Sequence, residues 1–183
     1  VGQSSSMKLL KTTVQKVAES EVTVHLTGES GTGKELVAQN IHDKSQRHVG
    51  PFIAVNCAAL PRELIESELF GFKKGAFSGA NKDTPGKFLL ANNGTLFLDE
   101  IGDMDKSCQA KVLRALEEGE VTPLGSTSNV PCNARIITAT NQDLHQLVTS
   151  GEFREDLFYR ICVVEVSIPP LRDRRSDILP LAE

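Results

Sequence analysis

An α/β fold, with a parallel sheet covered by helices on both faces, is what this sequence of 183 residues predicts. Short runs rich in β-branched and apolar residues alternate with segments of helical periodicity, the pattern of parallel strands joined by crossover helices. The strand candidates are nearly continuous apolar runs, so both of their faces need cover. One of them leads directly into a glycine-rich loop and then a helix, the setting in which such folds bind phosphate.

The elements follow in order. Met7, Leu10, Val14 and Val17 recur at spacings of three and four behind a serine cluster able to cap a helix. "VTVHL" (22–26) is a β-rich run ending in "TGESGTGKE", and Lys34 to Lys44 carries Leu36, Val37 and Ile41 on one helical face. "FIAVN" (52–56) is a strand, and a helix over Pro61–Phe70 has proline near its start. "GAFSGA" (75–80) sets Phe77 among residues too flexible for a good helix or strand, which predicts a loop with an aromatic tip. "GTLFLDE" (94–100) is an apolar strand ending in two carboxylates. A helix carrying Val112, Leu113 and Leu116 leads to the buried-type strand "ARIITATN" (134–141). "VVEVSI" (163–168) is the last strand, stopped by Pro169 and Pro170.

Length and composition narrow the function. The chain is long enough for one domain with a substantial core, and its 39% hydrophobic and 24% charged residues are those of an ordinary globular protein. A net charge of −4 argues against nucleic-acid binding by bulk charge. No apolar run approaches the ~20 residues that span a bilayer, so no membrane partner is expected. Cys57, Cys108, Cys132 and Cys162 form no C-x-x-C pair and have no zinc-finger spacing to histidine. They read as buried thiols of a reduced, cytoplasmic protein.

"GESGTGK" (28–34) has the G-x-x-x-x-G-K form between a strand and a helix. Gly28, Gly31 and Gly33 let the backbone N–H groups of Glu29, Ser30 and Thr32 converge on phosphate oxygens. The helix opening at Lys34 adds its positive dipole end, and Lys34 supplies the cation for β- and γ-phosphates. Glu35 stands where Ser or Thr usually ligates Mg²⁺, so metal ligation falls more heavily on the strand 95–99. Asp99 and Glu100 emerge at the carboxyl end of that strand, where open α/β sheets bind ligands. Asp99 suits a Mg²⁺ ligand, and Glu100 suits a base polarising the attacking water. Asn141 ends a neighbouring strand and can deliver an amide toward the same edge, although a strand-end asparagine alone is usually a turn residue.

Taken together, "GESGTGKE", "NCAAL", "ELFG", "GAFSGA", "GTLFLDEI", "ATN", "FREDLFYR" and "PPLRDRRSDI" resemble, in this order, the sigma-54-dependent transcription activators. These bacterial enhancer-binding proteins are a clade of AAA+ ATPases, and even Glu35 fits their pattern. The resemblance implies a P-loop NTPase core over residues 1–175, with 176–183 beginning a helical lid that is otherwise missing. It implies ATP and Mg²⁺ as ligands, a homo-oligomeric ring (a hexamer), and ATP at subunit interfaces. Arg154 and Arg160 match arginine-finger positions that reach a neighbour's γ-phosphate, and Asn56 matches the asparagine that contacts the catalytic glutamate. Gly75, Ala76, Phe77, Ser78, Gly79 and Ala80 match the loop that meets sigma-54. DNA binding is expected from a C-terminal domain outside this chain.

The sequence departs from that pattern in the loop. Ser78 replaces threonine, and Phe72 and Lys73 replace the usual His and Glu, making the flank more apolar and more basic. Two readings follow. One is an ATPase that remodels sigma-54 polymerase from closed to open promoter complex, favoured by Glu100, Asn56, Arg154 and Arg160. The other is a nucleotide-regulated assembly module that does not engage sigma-54, which Ser78 and the "FGFKK" flank keep open.

Overall fold

The computed structural model describes residues 2–182. Helix α1 (Ser5–Ala18) is capped by Ser4, whose Oγ accepts from the N–H of Met7 at 3.3 Å. There follow β1 (Val24–Thr27), α2 (Lys34–Asp43), β2 (Phe52–Asn56) and α3 (Arg62–Phe70). Two short strands, β3 (Gly71–Phe72) and β4 (Thr84–Pro85), bracket the Phe77 loop and lead to the single-turn α4 (Lys87–Leu90). The chain continues through β5 (Thr95–Asp99), α5 (Lys106–Glu118), the hairpin strands β6 (Glu120–Val121) and β7 (Val130–Pro131), and β8 (Arg135–Thr140). Helices α6 (Leu144–Thr149) and α7 (Glu155–Ile161), strand β9 (Val164–Ser167) and the short α8 (Ile178–Ala182) complete it.

The main sheet has the order β2-β5-β8-β1-β9 and is parallel throughout. Its central strands are buried on both faces, as continuous apolar runs require: Thr95 to Leu98 and all of Arg135 to Thr140 are buried. Alternation along β5 feeds two cores. Leu96 and Leu98 join Ile136 beneath α3, α5 and α7, whereas Phe97 joins Leu26, Ile137 and Ala139 beneath α1 and α2. Strand order reverses at β1, with β9 on one side and β8 on the other, so the carboxyl edge beside β1 is the topological switch point at which such sheets bind ligands. No described helix is long and apolar enough to cross a membrane.

Two antiparallel hairpins went unforeseen in the sequence. Strands β3 and β4 pair Phe72 with Thr84, and β6 and β7 pair Val121 with Val130. Two-residue strands leave no periodicity to read. Of the cysteines expected to be buried, Cys57 and Cys108 are, whereas Cys132 and Cys162 are half-buried; all four are free thiols.

Candidate nucleotide site

Strand β1 runs into a loop whose shape its glycines determine. A Cβ on Gly28 would lie 2.9 Å from Thr32 Oγ1 and 3.0 Å from the carbonyl oxygen of Ile168, so a side chain there would have to shift the loop or the chain after β9. Gly33 caps α2 at φ 96°, ψ 32°, in the left-handed region, and supplies no side chain to the first turn. The opening N–H groups of α2 therefore stay available to an anion, reinforced by the dipole of a ten-residue helix. Thr32 stiffens the loop by donating its hydroxyl to the Glu29 carbonyl at 2.8 Å. Ser30 and Glu35 are exposed along its rim.

Lys34 is buried and reaches back under this loop. Its Nζ donates to the Gly28 carbonyl at 3.1 Å and to Glu100 Oε1 at 3.2 Å. The second oxygen of Glu100 accepts the backbone N–H of Asn141 at 3.1 Å. Glu100 itself has φ 51° and ψ 49°, a left-handed conformation that side chains other than glycine's seldom adopt. Such strain persists where surrounding contacts over-determine it, and here it aims the carboxylate off the end of β5 into the switch point. Three residues named from sequence, Lys34, Glu100 and Asn141, thus converge on one point.

Asp99 stands beside them without an ion-pair partner among the described residues, its Oδ1 accepting only the Glu100 N–H at 3.1 Å. Burial, and then the neighbouring Glu100 charge, push its carboxyl above the ordinary aspartate value. An unpaired, half-buried carboxylate at a phosphate site fits a divalent cation. No group of three His, Cys, Asp or Glu side chains that could hold a metal occurs among the described residues. A Mg²⁺ ion here would therefore share its coordination with phosphate oxygens and water, as is usual for that ion.

Other expected residues lie elsewhere. Asn56 ends β2 in register with Asp99, but its Oδ1 accepts the N–H groups of Ala58 and Ala59 at 2.9 and 3.0 Å, and no hydrogen bond joins it to Glu100. Asn141 meets Glu100 through its backbone rather than its amide. Arg154 is held by Asp156 in a bidentate pair at 3.0 and 2.6 Å, and Arg160 donates to the Leu116 carbonyl at 2.8 Å. Neither arginine lines the cleft above the phosphate loop.

That cleft, of about 980 Å³, opens beside the phosphate loop and was only partly legible in sequence. Its second wall comes from α1, through Met7, Leu10 and Val14, and its rim from Leu171, Arg172 and Arg174 after the last strand. Arg172 clamps Glu29 with two hydrogen bonds of 2.7 and 2.6 Å, and Arg174 donates to the Thr32 carbonyl at 3.1 Å. An apolar slot beside an anion cradle suits a flat base joined to a polyphosphate. The apolar face of α1 signalled a helix but not the cleft, because Met7, Leu10 and Val14 also pack on the core.

A second missed residue is Gln109, fully buried on α5. Its amide donates to the carbonyls of Met104 and Glu152 at 2.7 and 3.1 Å, while its oxygen accepts the Arg154 N–H at 2.9 Å. It fixes the backbone from which Arg154 projects.

A family model described as the sigma-54 interaction domain matches residues 1–167. The DNA-binding transcriptional regulator NtrC of Azospirillum brasilense is 52% identical over 178 residues, which are 97% of this chain and 37% of that protein. The Nif-specific regulatory protein of Rhodobacter capsulatus is 51% identical over 183 residues, 100% of this chain and 32% of its own length. The chain thus spans about a third of the length of these curated relatives. The crystal structure of NtrX from Brucella abortus in complex with ATP superposes with a TM-score of 0.92 at 41% identity, over 99% of this chain and 41% of that one. The P-loop NTPase domain of a sigma-54 transport activator from E. coli shares the fold, with a TM-score of 0.61 at 19% identity over 93% of this chain and 99% of its own. With the phosphate loop, the acidic strand end and the sheet order all in place, this chain belongs to the sigma-54 interaction domain family, the AAA+ P-loop NTPase of sigma-54-dependent transcriptional activators.

Proposed function

We propose that this chain binds and hydrolyses ATP with Mg²⁺ and uses the cycle to drive the Phe77 loop against sigma-54, converting a closed promoter complex to an open one. The observation that carries this reading is the Lys34–Glu100 pair at 3.2 Å beneath an uncapped helix N-terminus. Lys34 has two claimants, its own Glu100 and an incoming phosphate. A triphosphate offers the stronger charge, so Lys34 turns to the β- and γ-oxygens and Glu100 is released toward the water it polarises. Asn141 N–H keeps one Glu100 oxygen oriented meanwhile, and orienting water falls to the amide of the same residue. Asp99 would hold the Mg²⁺, which would supply charge neutralisation at the phosphates.

Arg154 and Arg160 are exposed on and beside α7 and do not line their own cleft, which fits residues that serve a neighbouring subunit. A homo-oligomeric ring, a hexamer, brings them to the next subunit's γ-phosphate, Arg154 leaving Asp156 to do so. In that state Asn56 exchanges its turn contacts for Glu100 and relays occupancy of the site to the loop. The nucleotide found in NtrX, a structure superposing over nearly the whole chain, supports ATP as the ligand. Residues 1–175 are the motor core, 176 onward belong to a helical lid, and DNA binding lies in another part of the protein.

The test is capture of sigma-54 by the intact protein. With ADP, Mg²⁺ and aluminium fluoride in place of the transferring phosphoryl group, a complex on a native gel is expected, and it should vanish with Phe77→Ala. A protein that forms rings and hydrolyses ATP yet never captures sigma-54 would overturn the reading.

A further inference from the structure

The backbone of the Phe77 loop is tied to its base at Ala76, whose N–H donates to the Lys73 carbonyl at 3.0 Å, but the ring of Phe77 rests on that base through one aromatic contact. Phe72, the last residue of β3, meets Phe77 edge-on, with ring centroids 4.9 Å apart and planes inclined at 61°. Phe72 is anchored. Its strand pairs with β4 on one side, and a parallel bridge joins it to Leu124 on the other, where the Lys73 N–H donates to the Leu124 carbonyl at 2.9 Å. Asp83 closes the base, accepting from Lys73 Nζ at 2.7 Å and from the Lys74 N–H at 2.8 Å.

The tip is closed only by its own turn, the Ala80 N–H donating to the Phe77 carbonyl at 3.0 Å and the Gly75 N–H to the Ala80 carbonyl at 2.9 Å. Gly75 and Gly79 take φ +83° and +106°, and a Cβ on either would meet nothing within 4 Å. Phe77 leaves 42% of its surface exposed, and Phe72 is its one aromatic partner among the described residues.

We propose that Phe72 is a positioning residue that seats Phe77 on the rigid base of the loop, so that Phe77 becomes fully available to sigma-54 only when the Phe72–Phe77 pair parts. The partner in this statement rests on the function proposed above; the seat itself does not. An edge-to-face pair between a fixed ring and a free one biases the seated state by roughly 2- to 12-fold. Such a bias governs how often Phe77 is presented, yet a binding partner can overcome it.

The chain contains no tryptophan, so Phe77→Trp places a sole indole at the tip. In that background, acrylamide quenching is compared for Phe72, Phe72→Ala, Phe72→Leu and Phe72→Tyr, with thermal melting as the check on the core. Phe72→Ala should raise the quenching constant at least twofold and shift emission to the red. Phe72→Leu, which keeps an apolar base, should do the same, and Phe72→Tyr should restore the parent values. In the chain with native Phe77, chymotryptic cleavage after Phe77, measured against cleavage after the 69%-exposed Tyr159, should rise roughly 2- to 12-fold with Phe72→Leu and stay put with Phe72→Tyr. Equal quenching and equal cleavage across the series would overturn the seat, whatever sigma-54 does. Release of the tip in a protein that never captures sigma-54 would uphold the seat and overturn the partner.

Discussion

Glu100→Gln separates the two duties of the Glu100 carboxylate. The amide keeps the shape of the side chain, and its oxygen can still accept the Asn141 N–H that Glu100 Oε2 holds at 3.1 Å. It cannot hold Lys34 by charge as Glu100 does at 3.2 Å, nor can it polarise water as a base. Loss of the base should lower turnover by about 10²- to 10⁴-fold. Binding should move the other way. In the parent protein a phosphate must draw Lys34 from a charged hydrogen bond, worth about 1.5–3 kcal/mol, in surroundings where the two side chains are only 6% and 14% exposed. Removing that competitor also removes a negative charge beside the triphosphate, so ATP should bind roughly ten- to a hundredfold more tightly. Calorimetric titration with ATP and Mg²⁺ gives the affinity, and phosphate release in the intact ring gives the turnover. Weaker ATP binding with full loss of turnover would refute the competition for Lys34, because Glu100 would then be aiding the nucleotide. Retained turnover would remove Glu100 from the chemistry altogether.

Two further outcomes concern stability. His25 is buried on β1, its Nδ1 sharing a 2.8 Å hydrogen bond with Thr138 Oγ1, and burial lowers its pKa to about 4 against a weaker opposing pull from Glu165. Because the unfolded chain takes up this proton first, the contribution is complete above pH ~6.5 and is lost as pH falls toward 4, at about 1.4 kcal/mol per pH unit and about 3 kcal/mol in all. Urea unfolding across that window should show the slope in the parent and its loss in His25→Asn; an unchanged slope would mean that His25 titrates normally. Gln109→Leu strands the Arg154 N–H and the Met104 and Glu152 carbonyls, which should cost about 2–4 kcal/mol and lower the melting temperature by about 6–12 °C. A change below about 0.5 kcal/mol would mean that water replaces the amide.

What could be read ahead of the structure was whatever a strand or a glycine dictates locally. The apolar runs at 95–99 and 135–140 became parallel strands because buried strands leave an uninterrupted signal, and 52–56 became the half-exposed edge strand beside them. The phosphate loop followed from its glycines, and Asp99 and Glu100 from their place at a strand end. Contacts between distant segments left no such mark. That α1 walls the nucleotide cleft depends on how it packs beside α2, and Glu29 is tied to Arg172 from the far end of the chain. Asn56 shows the limit of motif reasoning most clearly. The role proposed for it needs contact with Glu100, whereas in the structure two neighbouring N–H groups satisfy its oxygen. In the proposed cycle a residue that changes partners needs an adequate resting partner, and Asn56, Arg154 and Lys34 each have one, in the turn after β2, in Asp156 and in Glu100. The same condition accounts for Phe77, an exposed aromatic that would otherwise invite association of its own: Phe72 gives it somewhere to rest.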